Sequence, residues 1–142
     1  MDVTIEEFTS LSPITINQNS DLALAQKMMK KNKIRHLPVI HSQKVVGLLS
    51  ERDLLANFGK PWSNLLRVKD IMSTSILTAN IQDSLGEVAY RLSVQKKGSA
   101  IVFDNDNKLY GIFTTTDALN ALVELICPEA NAQSIFKENK GA

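Results

Sequence analysis

Two stretches of this chain set a hydroxyl and a carboxylate three residues apart, and they stand sixty-four positions from each other. The first reads Gly47-Leu48-Leu49-Ser50-Glu51-Arg52-Asp53-Leu54-Leu55, and the second Gly111-Ile112-Phe113-Thr114-Thr115-Thr116-Asp117-Ala118-Leu119. In both, a glycine and apolar residues lead into the hydroxyl, as a strand does when it runs into a helix. The carboxylate then falls one turn into that helix. Such a carboxylate can accept two hydrogen bonds from the cis-diol of a ribose. A helix start offers N–H groups and the positive dipole end to a phosphate. Arg52, in the first helical turn, can reach a phosphate as well. Thr116 holds the equivalent place in the second stretch, so that junction lacks the cation. Ser/Thr-x-x-Asp also has the spacing of a helix capping box. One copy alone would favour capping, whereas the doubled context favours a ligand role in at least one copy.

The elements that must position these residues repeat too. Ser12-Pro13-Ile14-Thr15-Ile16 and Thr74-Ser75-Ile76-Leu77-Thr78 read as short extended segments. A helix follows each. Leu22, Ala25, Met28 and Met29 share one face, with Ser20 expected as N-cap. Leu85, Val88, Ala89 and Leu92 share a face in the second copy, where Ser84 and Glu87 have capping-box spacing. Lys30, Lys31 and Lys33, then Lys96 and Lys97, complement the negative helix ends. Two paired strands come next, turning at 41–44 and at 104–107. The second turn is expected to be two residues longer. In the second copy Gly98-Ser99-Ala100 is expected where the first has His36-Leu37-Pro38. The unit is strand, helix, strand, strand, helix, occurring twice. Gly59 and Pro61 break the last helix of the first copy, and the expected division is a first repeat over 1–60, a linker over 61–70, a second repeat over 71–126, and a polar tail over 127–142 in which Phe136 is the anchoring candidate.

The 142 residues are 44% hydrophobic and 22% charged, ordinary for one globular domain with a real core. The net charge of +1 gives no bulk attraction to nucleic acid or to a membrane. The single Cys127 excludes an internal disulfide framework and fits a reducing compartment. No apolar run reaches the roughly 20 residues of a membrane span. The N-terminus lacks a signal-peptide pattern, so the expected location is the cytoplasm. Gly59-Lys60 has no phosphate-loop glycines around it. Asp104-Asn105-Asp106-Asn107 lacks the sixth-position glycine and twelfth-position glutamate of a calcium loop. Zinc spacing and a nucleophile elbow are missing, so no metal site and no enzymatic activity are expected.

The two junction motifs, the segment Ile34-Arg35-His36-Leu37-Pro38-Val39, and the lead-in Ile71-Met72-Ser73-Thr74 together resemble the CBS domain pair, or Bateman module, named after cystathionine β-synthase. The resemblance covers about residues 3–123. It implies an α+β fold of two βαββα repeats packed with pseudo-two-fold symmetry, which often dimerises into a flat disc. It also implies a regulatory module that binds an adenine nucleotide (AMP, ADP or ATP) in clefts between the repeats and controls a partner protein. Carried over, the ribose-binding aspartates are Asp53 and Asp117, helped by Ser50 and Thr114. Thr15, Ile16, His36 and Pro38 would line one base pocket, and Thr78, Ala79, Ser99 and Ala100 the other. No resident cofactor is required, and a homodimer is expected. The alternatives are S-adenosylmethionine as ligand, or a ligand-free dimeric scaffold for a partner chain.

Overall fold

A computed structural model describes residues 3–11 and 14–128. The tail over 129–142, with Phe136, lies outside the described residues, as do Ser12 and Pro13. In chain order the elements are β1 (Ser10–Leu11), β2 (Ile16–Asn17), α1 (Leu22–Asn32), β3 (His36–His41), β4 (Lys44–Ser50), α2 (Glu51–Asn57), α3 (Val68–Ile71), β5 (Leu77–Asn80), α4 (Leu85–Gln95), β6 (Ser99–Phe103), β7 (Leu109–Thr114) and α5 (Thr115–Ile126). Short 3₁₀ turns occupy Glu6–Phe8 and Ser63–Leu65. The fold is thus α+β and carries the βαββα unit twice.

The chain forms two compact units. One comprises the described residues from 14 to 76, and the other those over 3–11 and 77–128. In the first, β2 runs parallel to β3, and β3 pairs antiparallel with β4. In the second, β5 runs parallel to β6, β6 is antiparallel to β7, and β1 adds to the outer edge of β7. Both hairpins carry a register shift at matching places, Val39/Ile40 and Val102/Phe103. Ile40 pairs with Val45, and Phe103 with Leu109. Four residues therefore separate the first pair and five the second, so the second turn is longer by one residue, not two. Asp104 organises that longer turn: its Oδ1 accepts from the N–H groups of Asp106 and Lys108, both at 2.9 Å.

The compact units divide between residues 11 and 14 and again at 76/77, because each lead-in segment packs with the other repeat. Residues 3–11 precede the first repeat but complete the second. The Thr4–Ser84 bridge and the bond from Leu85 N–H to Val3 O at 2.7 Å anchor this segment beside α4. Ser10 then pairs with Ile112. Residues 67–73 precede the second repeat but complete the first. Arg67 bridges Asp21, Val68 N–H donates to Ser20 O at 2.9 Å, and Leu48 and Ser73 exchange two backbone bonds of 2.9 Å. The motif glycines follow from this exchange. A Cβ on Gly47 would lie 2.6 Å from Met72 Sδ and 2.8 Å from Ser73 O, and one on Gly111 would overlap Ser10 O. Only glycine lets the lead-in strand come so close.

Each unit has its own core. Ile16, Leu22, Ala25, Met29, Leu37, Val39, Leu49, Leu54 and Val68 form the first. Ile5, Leu77, Ala79, Ile81, Val88, Leu92, Ala100, Val102 and Phe113 form the second. Both draw on the helix stripes and on alternate residues of the strands, as helix-on-sheet packing requires. The N-cap of α1 is Asp21, whose carboxylate accepts from Leu24 N–H at 2.8 Å, and not Ser20. Ser20 instead gives its N–H to Asn17 O and its carbonyl to Val68. Ser84 caps α4 as expected, through Glu87 N–H at 3.4 Å, but no return bond from the Glu87 side chain completes the box. Lys33 and Lys96 end their helices in matching left-handed conformations, both at φ 53°.

Candidate functional site

Each junction is a capping box. Asp53 Oδ2 accepts from Ser50 N–H at 2.9 Å, while Ser50 Oγ accepts from Asp53 N–H at 3.1 Å. Asp117 Oδ2 accepts from Thr114 N–H at 2.9 Å, while Thr114 Oγ1 accepts from Asp117 N–H at 3.2 Å. Capping therefore occupies one oxygen of each carboxylate. Among the described residues, Asp53 Oδ1 makes no hydrogen bond. Asp117 Oδ1 accepts from Ser10 Oγ at 3.2 Å. Ser73, which holds the corresponding lead-in position beside the first unit, makes no such bond to Asp53. The two junctions therefore share one geometry but differ in what meets the aspartate.

The helix ends are less free than their sequence suggests. A helix start leaves about four N–H groups without intrahelical partners. In α2 the box takes those of Ser50 and Asp53, and Arg35 O accepts the third from Glu51 N–H at 2.8 Å. Arg52 N–H is left for an anion, next to its own exposed guanidinium. In α5, Gly98 O accepts from Thr115 N–H at 3.0 Å, and Thr116 N–H is the one left over. These twin carbonyl contacts shift the expected correspondence of the second strands by one residue. Gly98 corresponds to Arg35, Ser99 to His36, Ala100 to Leu37 and Ile101 to Pro38. The strand registers agree, since His36 lies opposite Ser50 and Ser99 opposite Thr114.

Alternation along the strands sorts the expected lining residues. Leu37, Val39 and Leu49 belong to the first core, so His36, Pro38, Leu48 and Ser50 face the other side of that sheet. His36 therefore shares a face with the motif hydroxyl of Ser50, whereas Pro38, on the same side, is fully buried. Ile16 packs into the core, which turns Thr15 to the site side. In the second unit Ala79 and Ala100 are core residues, whereas Thr78, Ser99 and Thr114 face away from it. The side chains of Ile16, Ala79 and Ala100 therefore do not line the sites; only their backbones are available. Sequence reading missed Ser10 beside Asp117; Ile101, the counterpart of Pro38, is fully buried. Ser10 lies 107 residues from Asp117 in sequence, and only the exchanged lead-in brings them together.

His36 is half-buried, and desolvation holds its pKa below the usual histidine value, with the Asp53 carboxylate opposing that shift. Arg35 adds to the depression and Glu51 counters it. The ring is therefore neutral at pH 7. A neutral imidazole suits a base or ribose edge better than it suits a phosphate.

A polar cleft of about 140 Å³ lies within the second unit, lined by Glu7, Phe8, Thr9, Ser10, Asp117, Asn120 and Glu124. Three carboxyl side chains around so small a space disfavour a phosphate there. Among the described residues no cluster of three or more His, Cys, Asp or Glu side chains is placed to hold a metal ion, and no helix is long and apolar enough to cross a membrane.

Two βαββα units, each with a strand-to-helix junction where a hydroxyl and an aspartate share a cap, define a tandem-repeat module. The CBS domain family matches residues 5–60 and 68–124, and the chain belongs to that family. It is 27% identical over 140 residues to a CBS domain-containing protein of Dictyostelium discoideum, covering 90% of this chain and 97% of that one. It is 26% identical over 114 residues to the L-aspartate semialdehyde sulfurtransferase of Methanocaldococcus jannaschii, covering 80% of this chain but 22% of that protein. Among solved structures, CBSX2 in complex with AMP matches with a TM-score of 0.70 and 27% identity, covering 86% of this chain and 97% of that one. CBSX2 comes from Arabidopsis thaliana. The CBS domain pair of protein MJ0100, in complex with 5′-methylthioadenosine and S-adenosyl-L-methionine, matches with a TM-score of 0.75 and 24% identity, covering 86% and 97%.

Proposed function

We propose that this protein is a non-catalytic regulatory module that binds an adenine nucleotide, with AMP, ADP or ATP ahead of S-adenosylmethionine, and passes that signal to a partner protein as a homodimer. The supporting observation is the doubled junction, above all Asp53, whose Oδ1 is left open by the cap. A ribose cis-diol donates two hydrogen bonds, and one open carboxylate oxygen beside the Ser50 hydroxyl and the neutral His36 is a suitable acceptor. The Thr15 segment supplies an edge for a base. Arg52, with its free N–H and exposed guanidinium, is the phosphate group's partner. CBSX2, at 27% identity, supports AMP as the first ligand to try.

The junction at Asp117 supports a weaker or different site. Its second oxygen already accepts from Ser10, and Thr116 stands where the first copy has Arg52. The Asp53 site therefore binds first. A scaffold without ligand draws its support from this second junction alone.

The test is a melting-temperature screen against AMP, ADP, ATP, NAD, S-adenosylmethionine, guanine nucleotides and cyclic dinucleotides. A ligand that binds only the folded protein raises the melting temperature with its concentration. A rise with an adenine nucleotide that Asp53→Asn abolishes supports the reading. No rise with any of these at millimolar ligand overturns it in favour of the scaffold.

A further inference from the structure

The second unit satisfies from within two of the acceptors that its candidate site offers. Thr78 lies on β5, at the edge of its sheet, where the outer row of N–H and C=O groups has no partner strand. Ile81 N–H donates to Phe103 O at 3.0 Å on the β6 side, so Thr78, of opposite parity along the strand, turns its carbonyl to the open edge. Arg91 on α4 meets it there, and its guanidinium donates to Thr78 O at 3.0 Å. Ser10 on β1 donates its hydroxyl to Asp117 Oδ1 at 3.2 Å. Two donors from separate elements thus sit on a backbone acceptor of the base-pocket segment and on the motif aspartate.

The first unit repeats neither contact. Ile16 pairs with Val39 as Ala79 pairs with Val102, so Thr15 matches Thr78. Counting from the caps Asp21 and Ser84, Met28 stands where α4 has Arg91. A thioether has no proton to donate, so the matching position of α1 gives Thr15 O no equivalent of the guanidinium. Ser73 bridges Leu48 as Ser10 pairs with Ile112, yet it makes no bond to Asp53.

We infer that the Asp117 site is held shut by the chain itself: Ser10 and Arg91 occupy the acceptors on which a ribose hydroxyl and a base amino group would land, and an adenosyl ligand enters only by displacing them. Both side chains play the ligand's own part, since a ribose hydroxyl and an exocyclic amino group are donors as well. Being tethered, they compete without the loss of translational freedom that a free ligand bears. The cleft beside Asp117 also carries Glu7 and Glu124, and Thr116 replaces Arg52, so the opened site suits an adenosyl compound without a phosphate. This rests on the reading of the two junctions as nucleoside sites and adds a built-in regulation to one of them.

The experiment is isothermal titration of the full chain with adenosine, in an Asp53→Asn background that silences the first site. Adding Ser10→Ala or Arg91→Met is expected to tighten adenosine binding roughly two- to tenfold, the usual net worth of the one internal bond no longer displaced. Both together are expected to tighten it at least tenfold, with an unchanged circular dichroism spectrum. Ser10 is exposed, so Ser10→Ala alone still reads the inference should Arg91→Met fold poorly. Adding Asp117→Asn to the open variant is expected to remove the gain. The inference is overturned if the paired substitutions leave affinity within twofold of Asp53→Asn alone, or if no variant binds adenosine at millimolar concentration. A gain that survives Asp117→Asn also overturns it, as do two equal adenosine sites per wild-type chain. If wild type and Asp53→Asn bind adenosine equally, the Asp53 assignment fails, while the gain from Ser10→Ala and Arg91→Met still reports on the second site.

Discussion

Asp53 has two duties that one substitution can separate. Its Oδ2 accepts from Ser50 N–H within the capping box, and its Oδ1 is the proposed ribose acceptor. Asp53→Ala removes both. The lost cap alone costs about 1 kcal/mol of stability, within the usual range of ~0.5–2 kcal/mol. For a chain of this size that lowers the melting temperature by roughly 3–5 °C. Asp53→Asn keeps a carbonyl oxygen for Ser50 N–H and puts an amide nitrogen where Oδ1 was, so the cap loses little. The diol, however, meets a donor in place of a charged acceptor. Hydrogen bonds to charged groups contribute about 1.5–3 kcal/mol each, and losing even one is a loss of at least tenfold in affinity. Isothermal titration with AMP, paired with thermal melts without ligand, reads both effects. The expected result is near-wild-type melting and at least tenfold weaker binding for Asp53→Asn. Asp53→Ala is expected to bind equally weakly and to melt lower. If Asp53→Asn binds within twofold of wild type, the carboxylate is a cap and nothing more, and the ribose assignment fails.

The remaining predictions concern the lead-ins and His36. Gly111→Ala is expected to lower the melting temperature by several degrees, because its Cβ overlaps Ser10 O and overpacking typically costs about 1–3 kcal/mol. Gly47→Ala is expected to be milder, since one of its close neighbours is the flexible Met72 thioether. Equal melting of either variant and wild type would refute the close-approach account of the motif glycines. Because the His36 pKa is depressed on folding, the unfolded chain binds the proton first as pH falls. The penalty is absent above the unfolded value near 6.5 and grows as pH falls below it, so stability declines from pH 7 toward pH 5. Denaturant melts across that range should show a slope that flattens in His36→Gln. An unchanged slope would place the pH response elsewhere.

Much of this architecture was legible in the sequence because it was written twice. A Ser/Thr-x-x-Asp box and an apolar strand before it are local signals, and local signals survive reading in one dimension. The turn length and the pairing of His36 with Ser99 were misread because a one-residue difference between hairpins shifts which residues correspond, and strand register alone settles it. Ser20 looked like the cap of α1, but its backbone is tied to Asn17 and Val68, which gives the cap to Asp21. Ile16, Ala79 and Ala100 were expected at the sites because the CBS resemblance places their strand segments there. The strand period of two sends them to the opposite face. The exchange of the lead-ins was not legible, since nothing in 3–11 says which copy it will cover. The motif glycines were the trace of that exchange, because a strand glycine often marks a close backbone approach.

That exchange makes the repeat written in the sequence a different object from the unit that folds. Residues 1–60 hold one full βαββα pattern but lack 67–73, and so lack fully buried Val68, the partners Ile71 and Met72, and the Ser73 bonds to Leu48. Burial of a residue like Val68 alone is worth about 1.5–3 kcal/mol. A domain of about 60 residues is marginal even when complete. The fragment 1–60 is therefore expected to be largely unfolded. The fragment 13–76, of similar length, carries its own lead-in and is expected to melt cooperatively. In the same way 61–142 lacks Ile5 and β1, and a peptide of residues 1–12 added in trans should raise its melting temperature. Circular dichroism melts of the three fragments decide the matter. A cooperative transition in 1–60 at or above that of 13–76 would show that the lead-in contributes nothing to its unit, and would return the boundaries to those of the sequence repeat.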